Sequence, residues 1–173
     1  MPEDNGTEKR TLEQIWAPWR MQMIRAPKTG GCFMCEKHAQ DNDRENLVLE
    51  RSKYSYCLMN LYPYSNAHLL IVPYRHTGIF TELTDEETND MMHLAKVWAD
   101  VIKRSSNCEG FNIGMNVGRP AGAGCADHLH MHIVPRWNGD TNFMTVFGDV
   151  RVINQALEET WAELKKAREE LKI

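Results

Sequence analysis

The run His128-Leu129-His130-Met131-His132-Ile133-Val134-Pro135 contains the pattern on which the fold assignment depends. Histidines and apolar residues alternate in it with a period of two, which is the period of side chains in a β-strand. In a strand, the three imidazoles share one face at intervals of about 6.6 Å. The run therefore predicts a strand with a row of histidines on one face and an apolar row, Leu129, Met131 and Ile133, packed on the other.

A glycine-rich loop, Gly118-Arg119-Pro120-Ala121-Gly122-Ala123-Gly124, precedes the histidines. Glycines let backbone N–H groups converge on an anion, so the loop favours a phosphate ligand. A neutral imidazole can attack phosphorus and form a covalent nucleotidyl-histidine. The alternative is a zinc site made by the three histidines themselves. Alternate residues of a flat strand converge poorly on one ion with bonds of about 2.0 Å, which favours nucleophilic chemistry on a nucleotide.

Hydrophobic periodicity elsewhere predicts an α+β fold with an antiparallel sheet of about five strands and one long central helix. The helix is expected from Thr84 to about Ser106, because Thr84 and Glu87 form a capping box ahead of apolar residues at helical spacing. A short N-terminal helix is expected at 11–15 and a C-terminal helix over 150–171. Besides the histidine run, strand patterns cover residues 47–51, 54–60, 67–72 and 111–117.

Composition and charge indicate one folded domain over residues 1–173, with residues 1–10 as a disordered tail. The chain is 42% hydrophobic and 25% charged, with a net charge of −4, which is ordinary for a globular protein. The sequence offers neither the basic cluster that nucleic-acid polymers require nor an apolar run of membrane-spanning length. Five cysteines cannot all pair in disulfides, so the sequence predicts a cytoplasmic location.

The stretch His128-Leu129-His130-Met131-His132-Ile133-Val134 resembles the signature of the histidine triad (HIT) family of nucleotidyl hydrolases and transferases. The resemblance extends from about Cys32 to Trp137 and implies a HIT-like fold, a dinucleoside polyphosphate substrate and a homodimer. His130 matches the nucleophile of the family, and His132 and His68 match histidines that assist it. A nucleoside phosphoramidase or nucleotidyltransferase and a non-catalytic nucleotide sensor are the alternatives.

The same resemblance implies which residues contact the nucleotide. Asn60 matches the ribose-binding residue of the fragile-histidine hydrolases, and Asn116 matches an asparagine that contacts phosphate. The remaining expected contacts come from Gly122, Ala123, Gly124 and His128. Further segments are similar to a bacterial branch near the diadenosine tetraphosphate phosphorylases: Trp16-Ala17-Pro18-Trp19-Arg20, Pro135-Arg136-Trp137 and Asn142-Phe143.

The motif Cys32-Phe33-Met34-Cys35 is half of a zinc site when taken alone. A redox pair is disfavoured because no thioredoxin-like βαβ pattern follows it, and two packed thiols are the other alternative. HIT members and galactose-1-phosphate uridylyltransferases with CxxC hold a structural zinc, and the resemblance implies the ligands Cys32, Cys35, His76 and His128. Magnesium bound with the substrate phosphates is a further expectation.

The stretch Ala123-Gly124-Cys125 lacks the serine hydroxyl that is associated with the phosphorylases of the family. Binding free phosphate as an acceptor requires donors of its own, and each lost charge-assisted hydrogen bond costs roughly 1.5–3 kcal/mol. The loop therefore predicts hydrolysis, with phosphorolysis as the alternative if Arg119 or another residue holds the phosphate.

Overall fold

The computed structural model describes residues 31–141 and 153–171. They form an α+β fold in which five strands make one antiparallel sheet in the order β1-β2-β3-β5-β4. The strands are β1 (Val48–Arg51), β2 (Ser55–Met59), β3 (Leu69–Pro73), β4 (Gly110–Met115) and β5 (Met131–Arg136). The helices are α1 (Phe33–Ala39), α2 (Asp85–Ser106) and α3 (Leu157–Glu170). The predicted fold class is confirmed.

One face of the sheet carries the larger core. Helix α2 packs on this face through apolar residues at helical spacing, and Leu164 of α3 joins them. From the strands, residues at alternate positions contribute, so that one face of each strand is apolar. The members of this core include Leu49, Cys57, Met59, Leu69, Ile71, Met131 and Ile133 from the sheet, and Met91, Leu94, Trp98, Val101 and Ile102 from α2.

The opposite face of the sheet carries a smaller core beneath α1. Met34 of this helix packs against Val48, Tyr56, Leu58, Leu70 and Val72. The hydroxyl of Tyr56 donates a hydrogen bond of 2.7 Å to the carbonyl of Met34 and so fixes the helix on the sheet. Because α1 begins immediately after Cys32 and contains Cys35, this packing brings the CxxC motif to the face that carries the histidines.

Helix α2 begins and ends as its sequence predicts. The side chain of Thr84 accepts from the N–H of Glu87, and the Glu87 carboxylate accepts from the N–H of Thr84, which completes the predicted capping box. At the other end, Asn107 adopts a left-handed conformation with φ of 50°, a geometry that asparagine tolerates better than most residues. The helix joins β3 to β4 across the sheet, so that β5 can enter between these two strands.

Several predicted boundaries need correction. Strand β5 begins at Met131 rather than His128, because the N–H of Leu129 donates 2.8 Å to the carbonyl of Thr77 and not to a neighbouring strand. The C-terminal helix begins at Leu157 instead of residue 150, and helix α1 was not predicted. The predicted helix at 11–15 and the tail at 1–10 lie outside the described residues.

Residues 76–78 and 126–129 are packed closely at the point where the chain approaches β5. A Cβ built on Gly78 would lie 2.3 Å from the carbonyl oxygen of Ala126 and 3.1 Å from the Cα of Asp127. Both are backbone atoms, so no side-chain rotation can make room. Gly78 therefore sets how near the segment preceding His128 lies to the segment following β3.

The helices of the described residues are all too short or too polar to cross a membrane.

We predict that Gly78→Ala destabilises the protein, because a backbone segment must move to accommodate the methyl group. Overpacking of this kind costs about 1–3 kcal/mol, which corresponds to a fall in Tm of roughly 2–12 °C for a chain of this size. Gly110→Ala is the matched control, since its Cβ would have no neighbour within 4 Å. Thermal unfolding of the two variants measures the difference, and equal Tm values would contradict the prediction.

Candidate active site

Strand β5 presents histidine on the face opposite the larger core. Met131 and Ile133 pack in that core, so His130 and His132 lie on the other face by strand alternation. On β3, Leu70 is the direct partner of His132, and on β4 the partner is Gly114. A Cβ at Gly114 would have nothing within 4 Å. As far as residues 31–141 and 153–171 are concerned, the face beside His132 is therefore open on the β4 side, where a ligand can approach.

The imidazole of His130 is held in one tautomer by the backbone. Its Nδ1 lies 3.0 Å from the carbonyl oxygen of His128, and a carbonyl only accepts hydrogen bonds, so Nδ1 carries the proton. Nε2 is left with a lone pair. Burial lowers the pKa of His130 below its ordinary value, which keeps the ring neutral near pH 7. These are the properties that a nitrogen nucleophile requires.

His68 and His132 form a second, linked pair. The backbone N–H of Tyr64 donates 3.0 Å to Nδ1 of His68, so the proton of neutral His68 resides on Nε2. Nε2 of His68 lies 2.9 Å from Nδ1 of His132 and donates to it. Neutral His132 consequently carries its proton on Nε2. Burial, followed by the proximity of His130, lowers the pKa of His132 to about 4, so near pH 7 this ring is a neutral donor.

The rings of His68, His130 and His132 form one group in which His132 contacts the other two, and the ring of Tyr64 belongs to the same group. The centroids of His130 and His132 are 4.9 Å apart, and those of His68 and His132 are 5.1 Å apart. The ring of Tyr64 lies 5.8 Å from His132 in a nearly parallel arrangement and 4.7 Å from His68. Tyr64 could not be predicted from the sequence, because its hydrogen bond to His68 uses a backbone N–H, which no residue type encodes.

The glycine-rich loop satisfies much of its own backbone. Gly118 and Gly122 have φ values of 80° and 88°, which glycine adopts without steric penalty. The N–H groups of Ala121 and Ala123 donate to the carbonyl of Gly118, and that of Gly122 donates to Arg119. Two of the three amides expected to hold phosphate, those of Gly122 and Ala123, are thus used inside the loop.

Several polar groups in and near the loop remain available within the part of the chain that the structure describes. The N–H of Gly124 and the carboxamide of Asn116 make no hydrogen bond with any described residue. Met115 is the partner of Met131, and extending this register by one residue places Asn116 opposite His130. Asn60 lies on the other side of the site, with its Nδ2 3.3 Å from Nδ1 of His68 and its Oδ1 accepting from the N–H of Tyr62.

A second constellation could hold a metal ion. One ligand atom from each of Cys32, Cys35, His76 and His128 lies within 4.8 Å of all the others. Nδ1 of His128 is 3.2 Å from Sγ of Cys32, 3.5 Å from Sγ of Cys35 and 3.3 Å from Nδ1 of His76. The structure thus brings together all four residues of the predicted ligand set, which come from three separate parts of the chain.

The tautomer of His128 suits it to a metal ligand. Its Nε2 lies 2.8 Å from the carbonyl of Pro73 and must donate to it, so the lone pair is on Nδ1, which faces the two sulfur atoms. Such a hydrogen bond from the distal nitrogen is common in histidines that bind metals. The ring is fully buried, and with both nitrogens engaged it has no polar atom left for a nucleotide. Among its two predicted roles, the geometry supports the metal ligand.

The chain is similar to proteins of one known family, both in sequence and in fold. The profile of the HIT domain matches residues 41–139. A protein of Mycobacterium tuberculosis (strain CDC 1551 / Oshkosh) named AP-4-A phosphorylase is 40% identical over 166 residues, which are 91% of this chain and 85% of that protein. An Arabidopsis thaliana protein named bifunctional bis(5'-adenosyl)-triphosphatase/adenylylsulfatase FHIT is 34% identical over 119 residues, 69% of this chain and 62% of its own length.

The fold is shared with solved structures. The crystal structure of a zinc-bound histidine triad family protein from Mycobacterium smegmatis has a TM-score of 0.67 to this chain at 23% identity. The match covers 82% of this chain and 96% of that one. At this identity the likeness concerns the arrangement of strands and helices alone.

We predict that His130 and His128 are opposite tautomers in solution. Long-range ¹H–¹⁵N correlation spectra of the protein labelled in its histidine rings distinguish protonated from unprotonated ring nitrogens. We expect His130 to be protonated on Nδ1 and His128 on Nε2, because each of these nitrogens faces a backbone carbonyl. The exposed His93 provides the reference for an unconstrained ring. Protonation of His130 on Nε2 would contradict the assignment of its free lone pair.

Proposed function

Because this chain belongs to the HIT domain family, we propose that it is an enzyme that transfers the nucleotidyl group of a dinucleoside polyphosphate through a covalent intermediate on His130. The observation that carries the proposal is the hydrogen bond from Nδ1 of His130 to the carbonyl of His128, which leaves Nε2 with a lone pair. The names of the relatives, a diadenosine tetraphosphate phosphorylase and a diadenosine triphosphatase, support the substrate class.

In the first step, Nε2 of His130 attacks the α-phosphorus, and the bond from this phosphorus to the bridging oxygen breaks. The electron pair leaves with the polyphosphate, which is a stable anion and needs no strong acid to protonate it. The ring becomes cationic as the phosphorus–nitrogen bond forms. The hydrogen bond from its Nδ1–H to the carbonyl of His128 then becomes charge-assisted and stabilises the intermediate.

The neighbouring residues bind and orient the reacting phosphate. His132 offers its Nε2–H as a neutral donor, and His68 fixes that tautomer by donating to Nδ1. Asn116 and the N–H of Gly124 supply further donors to the equatorial oxygens, with Gly122 and Ala123 lining the loop, and Asn60 binds the ribose. Fixed donors aimed at developing charge supply the largest part of such catalysis. A phosphoramidase or a simple nucleotidyltransferase would use the same groups with a different leaving group.

The second step is the transfer of the nucleotidyl group from His130 to an acceptor. The loop lacks a serine hydroxyl, and on this ground the sequence predicts water as the acceptor. The 40% identical relative named as a phosphorylase favours phosphate instead. Phosphorolysis is therefore the second candidate function, and the two differ in product, since water yields a nucleoside monophosphate and phosphate yields a nucleoside diphosphate.

We predict that His130→Asn abolishes turnover of diadenosine tetraphosphate and that no adenylyl group is found on this variant. Loss of the covalent step costs several orders of magnitude in rate. The measurements are kcat and the intact mass of the protein after acid-free quenching. His93→Asn is the matched control, because His93 is exposed on α2, and this variant should keep both activity and the adduct.

Two outcomes would contradict the mechanism. A folded His130→Asn protein with near-normal kcat would show that His130 is not the nucleophile. A wild-type protein that binds the dinucleotide without ever turning it over would favour the non-catalytic sensor.

The second part of the proposal is that Cys32, Cys35, His76 and His128 hold a structural zinc ion. Two thiolates and two imidazoles are a common closed set for tetrahedral zinc, and the inward-facing Nδ1 of His128 fits this role. Such an ion contributes its binding free energy to folding. It would connect α1 and the segment after β3 to the residues that lead into β5.

We predict about one zinc per chain in protein purified without a histidine tag, and loss of this zinc in Cys35→Ser. The variant should lose more in Tm than in kcat at a permissive temperature, because the ion acts through folding. Cys108→Ala is the control, since Cys108 is buried in the larger core and should leave the metal content unchanged. Wild-type protein without zinc, or with a Cys32–Cys35 disulfide under reducing conditions, would contradict the assignment.

The homodimer remains a prediction that the sheet edges support. At the β1 edge, Trp161 and Lys165 of α3 donate to the carbonyls of Val48 and Leu49. Strand β4 is the other edge, and its Ile113 is half exposed. Among the described residues no further strand lies beside β4, and an edge of this kind gives a second copy a place to pair. A single domain over the whole chain, a cytoplasmic location, magnesium with the substrate, and the absence of nucleic-acid and membrane partners also remain sequence-based predictions.

A further inference from the structure

Arg119 differs from the other arginines in the described residues. It is the first residue of a short 3₁₀ turn in the glycine-rich loop, its side chain is exposed, and no described residue pairs with it. Each of the others is held by a carboxylate or by an aromatic ring. The five ion pairs involve Arg51, Arg75, Arg104, Arg136 and Arg168, and Arg44 lies over the ring of Trp161.

The loop that carries Arg119 begins beside the nucleophile. Strand β4 ends at Met115, which pairs with Met131, so the chain leaves the sheet at the level of His130. Arg119 follows three residues after Asn116, in the turn that Gly118 and Gly122 make possible with their positive φ angles. The free guanidinium is thus part of the segment that connects the sheet to the active-site histidines.

The donors that remain in the loop are neutral apart from the guanidinium of Arg119. The amides of Ala121, Gly122 and Ala123 are bonded within the loop, and the donors left among the described residues include the N–H groups of Gly118, Arg119 and Gly124 and the carboxamide of Asn116. All of these are neutral, whereas each phosphate of a polyphosphate carries negative charge. A guanidinium binds phosphate oxygens with two parallel, charge-assisted hydrogen bonds and keeps its charge at every physiological pH.

We propose that Arg119 binds the phosphate that is adjacent to the reacting phosphorus, first in the leaving polyphosphate and then as inorganic phosphate that enters as the acceptor. The inference rests on the function proposed above. Both displacements occur in line with Nε2 of His130, so the acceptor must enter from the side on which the leaving group departed. A single anion site therefore serves both steps.

In the second step, inorganic phosphate displaces His130 from the nucleotidyl group. An oxygen of inorganic phosphate forms a bond to the phosphorus of nucleotidyl-His130, the phosphorus–nitrogen bond breaks, and its electron pair returns to Nε2. The product is a nucleoside diphosphate. If water attacks instead, its proton goes to solvent and the product is a nucleoside monophosphate. By holding phosphate at the entry side, Arg119 replaces the serine hydroxyl that the loop lacks and determines the choice between the two acceptors.

The test measures the ratio of ADP to AMP that the full-length protein forms from diadenosine tetraphosphate in millimolar inorganic phosphate. Loss of one charge-assisted contact in Arg119→Ala should lower this ratio by about tenfold or more. Arg119→Lys keeps the charge without the paired hydrogen bonds and should give an intermediate ratio. Arg104→Ala is the matched control, because Arg104 pairs with Asp100 on the surface of α2 and should leave the ratio unchanged.

A second substrate separates a role in phosphate binding from a role in folding. The p-nitrophenyl ester of AMP has no leaving phosphate, so Arg119→Ala should form adenylyl-His130 from it at the wild-type rate and from diadenosine tetraphosphate more slowly. Equal loss with both substrates, an unchanged product ratio, or a wild-type enzyme that forms no ADP in phosphate would each overturn the inference. If wild-type protein forms no adduct on His130, the proposed function fails and this inference fails with it.

Discussion

The position of β5 between β3 and β4 is the constraint on which the rest of the site depends. A strand with neighbours on both sides has its backbone hydrogen bonds satisfied and its register fixed, and its side chains alternate strictly between the two faces. Met131 and Ile133 are committed to the larger core by this alternation. His130 and His132 must then lie on the opposite face, and a shift of one residue would exchange histidines for apolar side chains. The stability of the core therefore enforces the placement of His130 and His132.

Backbone carbonyls determine what each imidazole can do. The carbonyl of Pro73 holds the proton of His128 on Nε2, and the carbonyl of His128 holds that of His130 on Nδ1. Two histidines that are two residues apart thereby present different nitrogens, one to the metal constellation and one to the open face of the sheet. His128 belongs to both arrangements, through its ring and through its carbonyl. A single residue therefore links the metal constellation to His130.

Burial also determines the protonation state of these histidines. It lowers the pKa values of His128, His130 and His132, so that all three rings are neutral near pH 7 and keep the tautomers that their hydrogen bonds dictate. Fixed, neutral donors and one free lone pair fit a reaction that develops charge on phosphate and on a single ring nitrogen. The only unpaired guanidinium in the described residues is that of Arg119 in the adjoining loop, where no carboxylate of the described residues neutralises its charge.

The sequence by itself determined all five strands and two of the three helices, though not α1, and it indicated the residues on which the proposed chemistry depends. The two-residue period of the histidine run gave the two faces of β5, the capping box gave the start of α2, and the resemblance to HIT proteins indicated the four residues of the metal constellation. Only the tertiary structure decided what depends on backbone atoms that are distant in sequence. The hydrogen bond from Leu129 to Thr77 delays the start of β5, the N–H of Tyr64 orients His68, and Pro73 turns the ring of His128. Every residue type except proline carries the same N–H and C=O groups, so their partners are set by how the chain folds and not by which side chains it contains.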